Sequence, residues 1–272
     1  MLDVGLPIGA TDPDPSVAPN IARIRDYWVE GTNHTEQDRR LAQRIELCAP
    51  HIPYLVRAQR SLVRRMVRHL MRAGVTQFLD LGSGLPNAHY VHHVAHAEDP
   101  RARVVYVDAD TSIEADSRAL LDGTDNTAFV VADVRRPAEL LAHPGVTALI
   151  DPDRPVAILM IELLLHIPDA DDPAGLVRSY VDALPSGGHL ALSHFGEDDQ
   201  VLAGFRIFEG LRFGQWPAVS LRSRDTLESF FDGLDLVEPG VVPVPLWRPD
   251  SEDEVDRNPE RVRMYAGLGR KP

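Results

Sequence analysis

A chain of 272 residues, 44% of them apolar, is long enough to bury one sizeable α/β core. Its formal net charge of −13 argues against sequence-independent binding of nucleic acid, which draws most of its affinity from cationic surface. Cys48 is the single cysteine, so an intrachain disulfide is excluded. The longest apolar run, 156–165, is too short to span a bilayer and contains Glu162. The opening "MLDVGLPIGATDPDPS" has neither the basic flank nor the apolar stretch of a secretion signal, and a cytoplasmic protein with no membrane partner is expected.

Residues 1–18, rich in Pro and Asp, lack periodicity and read as a flexible tail. Asn20 is placed to cap a helix running to Val29, and Thr35 a second one running to about Cys48. A third helix is expected over roughly 53–73. Val63, Met66, Val67, Leu70 and Met71 form its apolar face, and Gly74 ends it. Together these make an N-terminal helical cap over 19–73.

From residue 74 the pattern changes to strand–helix alternation. "VTQFLDLG", "ARVVYVDAD", "TAFVVAD", "RPVAILMIEL" and "GGHLALSHF" are continuous apolar runs, as in parallel strands covered on both faces. Helical stretches over about 87–97, 112–121, 136–142 and 173–183 separate them. "LDLVEPG" and "RVRMYAGLGRK" add two strands, read as a hairpin with a long connection. Right-handed crossovers make this a doubly wound, Rossmann-like α/β sheet over 74–272.

In such a sheet ligands bind beyond the carboxyl ends of the strands, where strand order reverses. The first strand ends in Gly82-Ser83-Gly84. Asp108, ending the second strand, is placed to accept both hydroxyls of a ribose. Asp133, ending the third, could meet the exocyclic amine of an adenine, and Asp80 could orient the turn or reach an amino group of a cofactor. Ser83, Ala109 and Val134, beside these residues, complete the expected cofactor contacts. A dinucleotide fingerprint needs a third glycine, but Leu85, Pro86 and Asn87 follow Gly84. Acidic residues also repel a pyrophosphate and suit a cationic cofactor, S-adenosylmethionine.

With those residues in place, the chain resembles the class I S-adenosylmethionine-dependent methyltransferases. Within them it resembles the actinobacterial S-adenosyl methyltransferase family, once catalogued as a domain of unknown function. The marks run from about Pro19 to Lys271: "PNIARIRDYWVEG", "RAQRSLVRRMVRHL", "QFLDLGSGLPN", "VVYVDAD", "DRPVAILM", "DDPAGLV", the Ser-His pair at 193–194, "LRSRDTLESFFDGLDLVEPGVVPVPLWRPD" and "YAGLGRK". The resemblance implies a seven-stranded methyltransferase sheet with its last strand antiparallel. It also implies cofactor binding by Asp80, Gly82, Gly84, Asp108 and Asp133, and a small natural-product acceptor in secondary metabolism. The chain departs from the family pattern in the loop Glu30-Gly31-Thr32-Asn33-His34, which loses a glycine and a lysine. It departs again after the fourth strand, where the histidine falls at His166 and Glu162 takes a position that is usually small or apolar.

Methyl transfer needs positioning and, for O–H or N–H acceptors, a base with a pKa near the working pH. His166 after the fourth strand, His194 ending the fifth, and Glu162 within an apolar strand are the candidates. Each has a structural alternative: a loop histidine, a helix-capping histidine, and an acid paired with an arginine. Tyr27, Trp28 and His34 lie on the cap, where an aromatic face could meet a sulfonium. Arg60 on the third helix could clamp the cofactor carboxylate with two hydrogen bonds. Phe205, Phe208, Phe213 and Trp216 could line an acceptor pocket, or simply pack. His89, His93, His92 and His96 have zinc-like spacing without a third ligand, so no metal is expected. Two other readings remain open: a cofactor-binding protein of this fold with another reaction or a regulatory role, and an NAD(P)-linked oxidoreductase. Homodimerisation is left open.

Overall fold

A computed structural model of the chain describes residues 18–87, 90–198, 202, 219–250 and 258–272. The five apolar runs form parallel strands: β1 (Gln77–Leu81), β2 (Arg103–Asp108), β3 (Thr127–Val131), β4 (Ala157–Ile161) and β5 (His189–Phe195). β6 (Asp235–Leu236), β7 (Val242–Pro243) and β8 (Met264–Arg270) complete the sheet, in the order β3-β2-β1-β4-β5-β8-β6, with β7 also beside β8. β8 runs antiparallel to β5. β6 pairs with its C-terminal end at Asp235↔Arg270, and β7 with its middle at Val242↔Ala266. The eight described strands therefore fill the expected seven positions, because two short segments share the outer edge of β8.

Alternate side chains of each strand enter different cores, as a period of two requires. Phe78, Val104, Tyr106, Ala157 and Ala191 point to one face. There they meet Leu62, Met66 and Leu70 of α3 (Ile52–Arg72) and Val91 and Ala95 of α4 (Val91–Glu98). Leu79, Leu81, Val105, Ile158 and Leu190 point to the other. They pack with Leu176, Val177 and Tyr180 of α8 (Pro173–Ala183) and Leu227 of α9 (Arg224–Ser229). Three helices fill the other connections: α5 (Glu114–Leu121), α6 (Pro137–Leu141) and α7 (Pro144–Thr147). α7 and α9 have no counterpart in the sequence reading, and α4 begins four residues late. Leu85 precedes Pro86, a position that disfavours helical backbone, so no helix starts over residues 85–87, where the Asn87 amide turns back to the Leu85 carbonyl.

α1 (Ile21–Trp28) and α2 (Glu36–Cys48) start where the caps put them. Asn20 accepts from the Ala22 amide, and Thr35 forms a reciprocal capping box with Asp38. Their apolar faces make a small separate core of Ile24, Trp28, Leu41, Ala42 and Ile45, closed by Val56 of α3. Gly74, at φ +85°, takes the left-handed turn that stops α3. Residues 205–217, His89 and the 251–257 cluster lie outside the described residues. Among the described residues no helix is long and apolar enough to cross a membrane, and no group of three or more His, Cys, Asp or Glu is placed to hold a metal ion.

Candidate active site

Strand order reverses between β1 and β4, and a cavity of ≈ 600 Å³ opens at their carboxyl ends. Its floor is the turn after β1. The amides of Gly82 and Ser83 both donate to the Val107 carbonyl, at 2.8 and 3.0 Å, which fastens the turn to the end of β2. The Gly84 amide donates to Asp108 Oδ2 at 2.8 Å, and the Asp110 amide to Asp108 Oδ1 at 3.0 Å. Gly82 and Gly84 both sit at positive φ, and a Cβ on Gly82 would lie 2.8 Å from Leu163 Cδ1. The turn is therefore bare backbone, as close approach of a ligand requires. Ala109, Ile113 and Val134 give the cavity an apolar side beside Asp108. Burial raises the Asp108 carboxyl above its ordinary value, against the pull of the backbone amides.

The roof comes from α1 and α3. Arg25 of α1 donates through Nη1 to Glu162 Oε2 at 2.7 Å and through Nη2 to Gln59 Oε1. The Arg60 guanidinium stacks 4.1 Å above the Tyr90 ring. At the entrance from α1, Asn20 Nδ2 donates to Asp110 Oδ2 at 2.6 Å. Asp26, fully buried, accepts from Asn87 Nδ2, the Asn33 amide and His34, so the altered 30–34 loop folds around one carboxylate.

Asp80 is buried behind the cavity rather than on its wall. Burial pushes its carboxyl up to about 7, while the Tyr90 hydroxyl and the Arg60 charge pull it down. His166 lines the cavity half-buried. Burial lowers its pKa, with Glu162 opposing and Arg25 assisting, which favours the neutral ring.

Besides Asp80, three more expected residues stand away from the cavity wall. Tyr27 turns its ring edge-on to His34 at 5.2 Å and takes a hydrogen bond from Gln43. Asp133 is gripped by Arg135 through Nε and Nη2, which holds its carboxyl below the usual range. His194 is fully buried with both ring nitrogens engaged, one at the Phe195 carbonyl (2.7 Å) and one at Arg222 (2.8 Å). Arg25, Gln59, Asn87 and Tyr90, which do line the cavity, were not singled out from the sequence as site residues, although Arg25, Gln59 and Asn87 fall within quoted motifs.

The wall also carries unmatched polar atoms. Gln59 Nε2, Arg60 Nη1, Asn87 Oδ1 and His166 Nδ1 are buried without a hydrogen-bond partner. Each such atom costs roughly 1–3 kcal/mol unless a ligand completes it. A bare turn, a strand-end carboxylate, an apolar slot and these donors and acceptors fit a nucleoside that carries an amino-acid tail.

A reversed parallel sheet with an antiparallel β8, and that cavity at its switch point, define a class I methyltransferase fold. Residues 11–272 match the S-adenosyl methyltransferase family, and the chain belongs to it. A DUF574 family protein from Streptomyces avermitilis MA-4680 is 35% identical, with a TM-score of 0.84 over 93% of this chain and 98% of that one. A candidate methyltransferase from Thermobifida fusca YX is 38% identical, with a TM-score of 0.81 over 93% of this chain and 95% of its own. The plantazolicin methyltransferase BpumL, solved with S-adenosylhomocysteine, shares the fold at 12% identity and a TM-score of 0.53, over 92% of this chain and 95% of its own. No curated protein matches the chain significantly. The protein is an S-adenosylmethionine-dependent methyltransferase.

Proposed function

We propose that the enzyme methylates a small-molecule acceptor of natural-product type, held between the helical cap of residues 19–73 and the ends of β1 and β4. The observation that carries this reading is the roof: α1 and α3 cover the ≈ 600 Å³ cavity, which leaves space on the scale of a small ligand. The net charge of −13 also disfavours a nucleic-acid acceptor.

Asp108 takes the ribose hydroxyls, and the Gly82–Gly84 backbone lets the cofactor approach. Ala109, Ile113 and Val134 flank the adenine. Arg60, with Nη1 unmatched, receives the carboxylate of the amino-acid tail. Asp80, buried beside Arg60 and Tyr90, backs the Arg60 guanidinium from behind the cavity wall. When bound, the cofactor supplies an electrophilic methyl group on a positively charged sulfur. His166 Nδ1 would take the proton that an O–H or N–H acceptor gives up as it is methylated. Glu162, fixed by Arg25, favours the imidazolium that forms through its charge. Tyr27, Asp133 and His194 are assigned no contact with cofactor or acceptor.

The test uses methyl-labelled cofactor, a panel of small phenols, carboxylic acids and amines, and mass spectrometry. We expect labelled product from at least one acceptor. His166→Asn should slow its formation by about 10²-fold or more without weakening S-adenosylhomocysteine binding. Labelled product at the wild-type rate from the variant would remove His166 as the base. Methylation of RNA or protein with none of the small molecules would overturn the acceptor class.

A further inference from the structure

Arg222 is 3% exposed, and every N–H of its guanidinium is used. Nη1 donates to the Leu164 carbonyl at 2.7 Å and to His194 Nε2 at 2.8 Å. Nη2 donates to the Ile167 carbonyl at 2.6 Å and to Asp169 Oδ1 at 2.8 Å, and Nε donates to the same oxygen at 3.1 Å. Leu164 and Ile167 bracket His166 in the turn after β4. The segment around Arg222 is itself tied down. Its backbone bridges to Gly196 beyond β5, the Glu197 amide donates to its carbonyl, and the Ser220 amide donates to the Leu165 carbonyl.

His194 explains why a buried guanidinium can face an imidazole. Nδ1 has a carbonyl as its partner, so it must carry the proton, which leaves the Nε2 lone pair to accept from Arg222. The Ser-His pair and the "LRSRD" stretch, two motifs far apart in the chain, thus meet at one guanidinium. A planar fork can hold two carbonyls, an imidazole and a carboxylate at once. A lysine ammonium, with three donors and no plane, cannot.

We propose that Arg222 is a positioning residue for methyl transfer: it fixes the 163–167 turn against the end of β5 and so sets where His166 Nδ1 stands in the cavity. This rests on the reading of His166 as the base. Arg222 does not line the cavity and makes no contact with cofactor or acceptor. Its effect passes through the two carbonyls on either side of His166.

The experiment is a histidine-labelled NMR titration of the full chain, with the His166 signal assigned through His166→Asn. Calorimetry with S-adenosylhomocysteine runs in parallel. Arg222→Lys is the first variant. Asp169→Ala is the second, because Asp169 is exposed and its loss cannot open the core. In both we expect the His166 signal to move and its titration midpoint to climb towards that of a solvated histidine, as the turn relaxes and the ring gains solvent. The shift should be larger in Arg222→Lys. Affinity for S-adenosylhomocysteine, set on the β1–β2 side, should stay within about threefold. Methyl transfer should fall by about 10–100-fold in Arg222→Lys through kcat rather than the cofactor KM. If the titration shifts while His166→Asn methylates at the wild-type rate, Arg222 still fixes the His166 turn, but the base assignment falls and with it any role of Arg222 in methyl transfer. An unchanged His166 titration in both variants would overturn the proposal. So would lost folding in Arg222→Lys with no His166 shift in Asp169→Ala, which would leave Arg222 a purely structural role.

Discussion

Arg25 reaches from α1 to Glu162 at the end of β4, 2.7 Å away, although 137 residues separate them in the chain. The same guanidinium bonds Gln59 of α3, so one side chain joins the two roof helices to the end of β4. Glu162 sits at φ +59°, a left-handed conformation that costs a non-glycine residue roughly 1–2 kcal/mol. The acid is held there by the ion pair and by its own amide, which donates to the Ser193 carbonyl.

Glu162→Gln keeps the backbone and removes the charge. The pair is partly exposed on the arginine side, so its loss is worth about 1 kcal/mol. We expect amides of α1 to exchange with solvent several-fold faster, while the unfolding midpoint of the whole chain barely moves. Unaltered exchange in α1 would show that the roof is held by its other contacts alone.

The two glycines Gly82 and Gly74 separate backbone strain from site geometry. Both have positive φ, but a Cβ at Gly74 meets nothing within 4 Å, whereas one at Gly82 meets Leu163 at 2.8 Å. Gly74→Ala should destabilise the fold by about 1 kcal/mol and leave cofactor affinity untouched. Gly82→Ala should destabilise it by more and also weaken S-adenosylhomocysteine binding. Denaturant titration and calorimetry on the two variants check this, and equal affinities would count against the floor assignment.

Asp80 gives a pH signature. Its folded carboxyl is raised from 3.8 to about 7 by burial, so ionisation works against folding. The contribution is fully present below pH 3.8 and is lost as pH rises through 7. Asp80→Asn cannot ionise. Between pH 4 and 8 the wild type should lose stability relative to this variant by an amount on the order of a few kcal/mol, measured by urea unfolding. Parallel stability curves would refute the buried, ionisable Asp80.

His194 acts with the opposite sign. Burial, with the Arg222 charge assisting, lowers its pKa from 6.5 to about 4, against the Phe195 hydrogen bond. Its stabilising contribution is present above pH 6.5 and is lost as pH falls through 4, when protonation of Nε2 meets the guanidinium. His194→Gln should be less stable than the wild type at pH 7 but flatter between pH 6.5 and 4. Thermal unfolding across that window tests it, and an equally steep decline would mean other groups carry the acid sensitivity.

The parallel strands were legible because β-branched and apolar residues run without interruption between glycine and proline breaks. The helix starts at Asn20 and Thr35 were legible because caps act locally. Gly82, Gly84 and Asp108 could be placed in the crevice because a strand end fixes where its last side chains point. What could not be read depends on distant partners. Glu162 read either as a base or as an acid paired with an arginine, and only the fold identifies the partner as Arg25. His194 occupies a strand end like Asp108, yet it faces Arg222 of a later segment rather than the crevice. Asp133 had a local signal in Arg135, two residues on, whose guanidinium takes up its carboxylate. β7 and α9 are too short to show periodicity.

The central claim is that Asp108 and the glycine turn hold an S-adenosyl nucleoside at the switch point between β1 and β4. Calorimetric titration of wild type and Asp108→Ala with S-adenosylhomocysteine, checked for equal unfolding midpoints, tests it most directly. The account predicts a single site in the wild type and a loss of roughly 10–100-fold or more in the variant, as the charge-assisted hydrogen bonds to the ribose disappear. Equal affinity in a folded Asp108→Ala protein would contradict it.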